Sequence, residues 1–78
     1  MFSKKYQFFT IEQDGESKGM PLYVILNRRT GVLLGDITWY PGWKQYVFGS
    51  LAASDWSSDC LANIIEFLNE LNKENAEC

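Results

Sequence analysis

The sequence predicts an α+β fold: a four-stranded antiparallel meander followed by one C-terminal amphipathic helix packed on one face of the sheet (ββββα). Three observations predict it. Aromatic and β-branched runs, separated by Asp-Gly, Met-Pro and Pro-Gly signals, fill the chain up to Phe48. From Leu61 onward the apolar spacing changes to a helical period. The connections between the runs are short, and short connections join antiparallel neighbours. With 78 residues, 46% hydrophobic and 22% charged, the chain forms one domain with a core just large enough to fold without staples.

The first strand is read from Tyr6 to Glu12 (YQFFTIE), ending at Asp14-Gly15, where glycine accepts a positive φ and a turn is expected. After Met20-Pro21 the second strand runs from Leu22 to Asn27, because proline offers no amide to a ladder and pairing should begin beyond it. Asn27 to Gly31 forms a hairpin loop closing on a left-handed glycine. Strands three and four are Val32 to Tyr40 and Lys44 to Phe48, joined by a tight loop at Tyr40-Pro41-Gly42-Trp43. In strand three, Leu33, Ile37 and Trp39 share one parity with Gly35. Val32, Leu34, Asp36, Thr38 and Tyr40 share the other, which reads as the solvent face. Strand two is apolar on both faces, so a second covering is expected beside the helix: the N-terminal segment, a partner or a ligand.

Leu61, Ile64, Ile65, Leu68 and Leu71 fall at i, i+3, i+4, i+7 and i+10, which predicts a helix over about residues 57–73 with this stripe inward. Asp55, Ser57 and Ser58 compete for the N-cap, and Asp59 suits the positive end of the helix dipole.

A net charge of −3 argues against a general polyanion binder. The charge is uneven along the chain. Residues 1–27 balance, residues 28–48 are basic through Arg28, Arg29 and Lys44 against Asp36, and the remainder is acidic. There is no apolar run of signal-peptide or membrane-span length, so a cytoplasmic protein without membrane contact is expected. Cys60 lies in the helical pattern and Cys78 is the last residue, and both are expected to stay reduced.

Catalytic chemistry finds little footing. Without histidine, the commonest general base and metal ligand is missing, and Cys60 has no imidazole to activate it. Cys60 reads as a small core residue. Gly31 and Gly35 lack the context of a phosphate loop, and the helical glutamates read as a solvated face. Asp36 is expected to face outward, paired with Lys44 across the hairpin. No catalytic, cofactor-binding or metal-binding residue is assigned, and neither cofactor nor small-molecule substrate is expected.

The hairpin pattern Gly31, Leu33-Leu34-Gly35, Ile37, Trp39-Tyr40, Trp43, Tyr46 and Phe48, with Asp59-Cys60-Leu61, Ile64 and Phe67 after it, resembles a small uncharacterised family of phage-encoded and bacterial proteins. Tyr23 stands where that family usually carries Trp, and Lys44 where Arg is frequent. The resemblance implies a phage or bacterial source and assigns no activity and no catalytic or binding residue.

Tyr40 and Trp43 are the candidates for exposed aromatics, expected near Arg28, Arg29 and Lys44. Aromatic side chains beside arginines mark protein-binding hot spots and also platforms for stacked bases. These five are the partner-binding candidates. The leading reading is a small non-enzymatic module that binds a protein, either itself as a homodimer or a host or phage partner. The alternative is a nucleic-acid-binding sheet face with basic hairpin loops.

Overall fold

A computed structural model describes residues 3–17, 19–51 and 54–75. Five strands, β1 (Ser3–Lys5), β2 (Phe9–Ser17), β3 (Met20–Asn27), β4 (Leu33–Tyr40) and β5 (Gln45–Ser50), precede the helix α1 (Ser58–Glu74). They form one antiparallel meander in the order β1-β2-β3-β4-β5. The α+β class, the meander and the C-terminal helix agree with the sequence reading. The strand count does not.

The extra strand is β1, which pairs Ser3 with Glu12, Lys4 with Ile11 and Lys5 with Thr10. Its sequence SKK has neither apolar alternation nor strand propensity. Pairing with β2 creates it, after a reversal closed by the Tyr6 amide on the Phe9 carbonyl (2.8 Å). Short, lysine-bearing strands are typical sheet edges. The described N-terminal residues thus widen the sheet and do not cover it.

β2 also runs further than expected. Gly15 does adopt φ +77°, but inside the strand, at a register shift between Gln13 and Glu16. The reversal comes later, where Ser17 pairs with Met20 and Gly19 takes φ +80°. Pro21 lies within β3, opposite Glu16 and beside the irregular stretch, where a missing amide is tolerated.

Phe9, Ile11, Tyr23, Ile25, Ile37 and Tyr46 line the helix-covered face and pack with Ile64, Phe67 and Leu71 of α1. The helix begins at the Ser57 N-cap, whose hydroxyl accepts the Cys60 amide at 3.2 Å, which settles the competition among Asp55, Ser57 and Ser58. The inward stripe is rotated from the one expected. Phe67 is buried against Tyr23 at 5.4 Å between rings, while Leu61 and Ile65 are exposed.

A second correction concerns β4. Ile25 pairs with Gly35 but Leu26 pairs with Leu33, which leaves Leu34 as the inserted residue of a β-bulge. The bulge reverses the parity beyond it. Leu34 packs against the core, and Leu33 joins Leu26 on the face away from the helix.

Candidate functional site

Consecutive hairpins of a meander lie at opposite ends of the sheet, and the five candidate residues divide accordingly. Arg28 and Arg29 sit in the β3–β4 loop; Tyr40, Trp43 and Lys44 mark the β4–β5 loop. The eight residues of β4 stand between the groups, about 25 Å at strand rise. The expected clustering of Tyr40 and Trp43 with the arginines is therefore corrected: the candidates form two groups at opposite ends of the sheet.

At the β3–β4 end, Asn27 organises the turn. Its Oδ1 accepts the amides of Arg29 (2.9 Å) and Thr30 (3.1 Å), and its carbonyl accepts the amide of Gly31, which takes the expected left-handed φ of +79°. Arg28 is partly committed, because its Nη1 donates to the Tyr6 carbonyl at 3.0 Å. Arg28 and Arg29 border a cleft of ≈ 490 Å³ with Gln7, Phe8 and Asn27. An adjoining cleft reaches Leu34, Trp56 and Cys60. The Trp56 ring stacks edge-on against Phe48 at 4.9 Å, and its buried indole N–H has no acceptor among the described residues.

At the opposite end the aromatic pair is real. Tyr40 and Trp43 meet edge to face at 4.7 Å, and Trp43 is 67% exposed. Gly42 lets the loop close over Tyr40, since a Cβ there would stand 3.1 Å from the ring. Lys44 adopts φ +52°, a conformation that ordinarily favours glycine or asparagine. It does not face Asp36 across the hairpin. Asp36 pairs with Gly49, where a Cβ would stand 3.0 Å from its Oδ1, so glycine leaves room for the carboxylate.

A further surface belongs to neither loop. On the face away from α1, the register aligns Leu26 with Leu33, Val24 with Asp36, and Thr38 with Val47. Leu22, Val24 and Leu26 thus form an apolar line along β3 that Leu33 extends onto β4, with Val47 on β5 beyond Thr38; Leu33 is 43% exposed and the other four are half-buried. Lys5, Glu12 and Asp36 supply the charges there. Strand parity gives this face in any antiparallel sheet, but the bulge that adds Leu33 to it leaves no mark in the sequence.

Chemically reactive arrangements are few. Among the described residues there is no group of three or more acidic or cysteine ligands able to hold a metal. Cys60 is a free thiol half-buried against the core, in keeping with a packing role, and Cys78 lies outside the described residues. Burial raises the phenol pKa values of Tyr23 and Tyr46, which sit under the C-terminal half of α1. No helix of the described residues is long and apolar enough to cross a membrane. Comparison with protein-family models, curated proteins and solved structures finds no match for the chain.

Proposed function

We propose that this chain is a small, non-enzymatic protein-contact module, working in the cytoplasm through the helix-free face of its sheet. The observation that carries the reading is the contrast between the faces. One is sealed by α1, and the other presents Leu22, Val24, Leu26, Leu33 and Val47 with nothing of the described chain over them. Contiguous apolar surface of this kind usually marks a contact site. The partner is a second copy or another protein; the hairpin's resemblance to phage-encoded and bacterial proteins supports a phage or host protein as the latter. On this face Glu12 and Asp36 outnumber Lys5, so its charges offer phosphates little attraction, which weighs against the nucleic-acid reading.

Light scattering across a concentration range, with wild type and Leu33→Lys, tests the reading. Leu33 is exposed, so its replacement leaves the fold intact by circular dichroism. A wild-type dimer that dissociates in the variant supports self-contact. A wild-type monomer requires a second protein, whose capture must then fail with Leu33→Lys. Assembly or capture indifferent to that substitution overturns the reading. For the nucleic-acid alternative, a salt-sensitive shift of labelled DNA or RNA lost in Arg28→Ala/Arg29→Ala would displace it.

A further inference from the structure

The outer edge of β5 carries a second surface, separate from the sheet face above. In an antiparallel ladder the backbone groups of successive residues point to alternate sides. Leu51 continues the inward set, its amide donating to the Leu34 carbonyl at 3.0 Å. Tyr46 belongs to the outward set: its amide donates to Asn72 Oδ1 at 2.6 Å, and its carbonyl accepts from Asn72 Nδ2 at 3.4 Å. The side-chain amide of Asn72 stands where the peptide group of an added strand would stand. Phe48 and Ser50 follow Tyr46 at the same parity, so their amides and carbonyls face outward too.

The helix flank beside this edge is apolar. At about 100° per residue, Leu61, Ile65, Leu68 and Asn72 lie along one line of α1, roughly a quarter turn from the buried Ile64, Phe67 and Leu71. Asp59, Glu66, Glu70, Lys73 and Glu74 gather on the opposite side. Leu61 is 40% and Ile65 57% exposed. Together with β5 the flank forms a groove of ≈ 420 Å³, lined by Trp43, Gln45, Phe48, Ile65, Leu68 and Asn72 among others, with no charged residue in the lining.

We propose that this groove binds an extended, uncharged segment of a partner protein, which adds a sixth strand to the sheet by pairing with Phe48 and Ser50 and rests its apolar side chains on Leu61, Ile65 and Leu68. Outward-facing peptide groups select a strand as occupant, and the neutral apolar wall selects its side chains. A second copy fits less well. Pairing β5 with its own copy sets the strands about 4.8 Å apart, whereas packed helices need about 8–10 Å between axes. Asn72 already brings α1 to the outer edge of β5, so two copies would bring two helices into one space.

The test is selection from a phage-displayed library of short random peptides on the intact chain, followed by amide exchange and nitrogen–proton spectra with a selected synthetic peptide. The expected result is enrichment of uncharged sequences with apolar residues at alternate positions, and protection of the Phe48 and Ser50 amides on binding. Ile65→Glu and Leu61→Glu, both exposed positions, are expected to weaken binding about tenfold or more. Leu33→Lys should leave it unchanged, which separates this groove from the sheet face of the proposed function. Failure to enrich any such class overturns the proposal. So does binding that leaves Phe48 and Ser50 unprotected or persists in Ile65→Glu, and so does concentration-dependent protection of these amides without peptide, which would mean a second copy as occupant.

Discussion

Asn72 of the helix holds Tyr46 of the edge strand through both hydrogen-bonding groups of its peptide, with Oδ1 accepting the amide at 2.6 Å and Nδ2 donating to the carbonyl at 3.4 Å. On the far side of the same helical turn Glu70 reaches Lys4 of β1 at 3.7 Å. The two contacts are unequal. The ion pair is exposed and contributes little, whereas the amide pair is partly buried and satisfies groups that would otherwise meet apolar surroundings. Asn72→Leu should therefore destabilise the chain by about 1–3 kcal/mol, read as a shift in urea midpoint. Asn72→Asp should fail to rescue it, because a carboxylate accepts from the amide but offers nothing to the carbonyl. Lys4→Ala should cost well under 1 kcal/mol.

Gly35 is required by its neighbours on β5. A Cβ there would stand 2.5 Å from the Gly49 carbonyl oxygen and 3.3 Å from a ring carbon of Phe48. Backbone cannot yield as a flexible side chain would. Gly35→Ala is expected to cost about 1–3 kcal/mol by overpacking. Gly15, with positive φ but open space around it, would lose stability through backbone conformation alone. Thermal unfolding of Gly35→Ala, alone and with Phe48→Leu, checks the assignment: the closer contact is the Gly49 carbonyl, so trimming Phe48 should recover little, and full recovery in the double variant would place the clash at the Phe48 ring instead.

Much of this architecture is legible in the sequence, and the failures share a cause. The long apolar run of β3 and the helical period of α1 announce themselves, and so do the left-handed Gly31 and the exposed Tyr40 and Trp43, where local chemistry decides the outcome. β1 is invisible because SKK becomes a strand only through the hydrogen bonds β2 supplies. Asp14-Gly15 carries the same signal for a bulge as for a turn, and long-range pairing chooses between them. The helix stripe misleads by one position, because Phe67 goes to Tyr23 and Ile65 turns outward beside β5. For the candidate residues, type is legible in the sequence but placement is not. Meander topology by itself sends Arg28 and Arg29 to one end and Trp43 and Lys44 to the other.

Alkaline pH should weaken the fold. Burial is the first cause of the raised pKa of both Tyr23 and Tyr46, against 10.0 for a free phenol, and each acidic residue or tyrosine nearby adds to it. A raised pKa in the folded state means that the neutral phenol is favoured there. This contribution is complete below pH 10.0 and is lost as pH rises through the higher folded values. Stability measured by urea unfolding is thus expected to be flat with respect to these groups near neutrality and to fall above about pH 10. Tyr46→Phe should flatten part of that fall. It should also cost about 0.5–1.5 kcal/mol at neutral pH, because the Tyr46 hydroxyl donates to the Pro21 carbonyl at 3.0 Å. A pH dependence identical in wild type and Tyr46→Phe would mean that the other tyrosines account for the whole effect.

The bulge in β4 makes opposite forecasts for two adjacent leucines. Simple alternation puts Leu33 with Gly35, Ile37 and Trp39 toward the helix and sends Leu34 to solvent. The pairing of Leu26 with Leu33 and of Ile25 with Gly35 inverts this, so that Leu34 packs against the core near Trp56 while Leu33 stays 43% exposed. Leu34→Ala should then cost about 1–3 kcal/mol, less than a fully buried leucine because the site is only half closed. Leu33→Ala or Leu33→Lys should change stability by less than about 0.5 kcal/mol. Equilibrium urea unfolding of the three variants decides it. If Leu33 proves the costlier loss, β4 runs without the bulge, Leu33 leaves the helix-free face, and the apolar row that face shares with Leu26 is shorter by one residue.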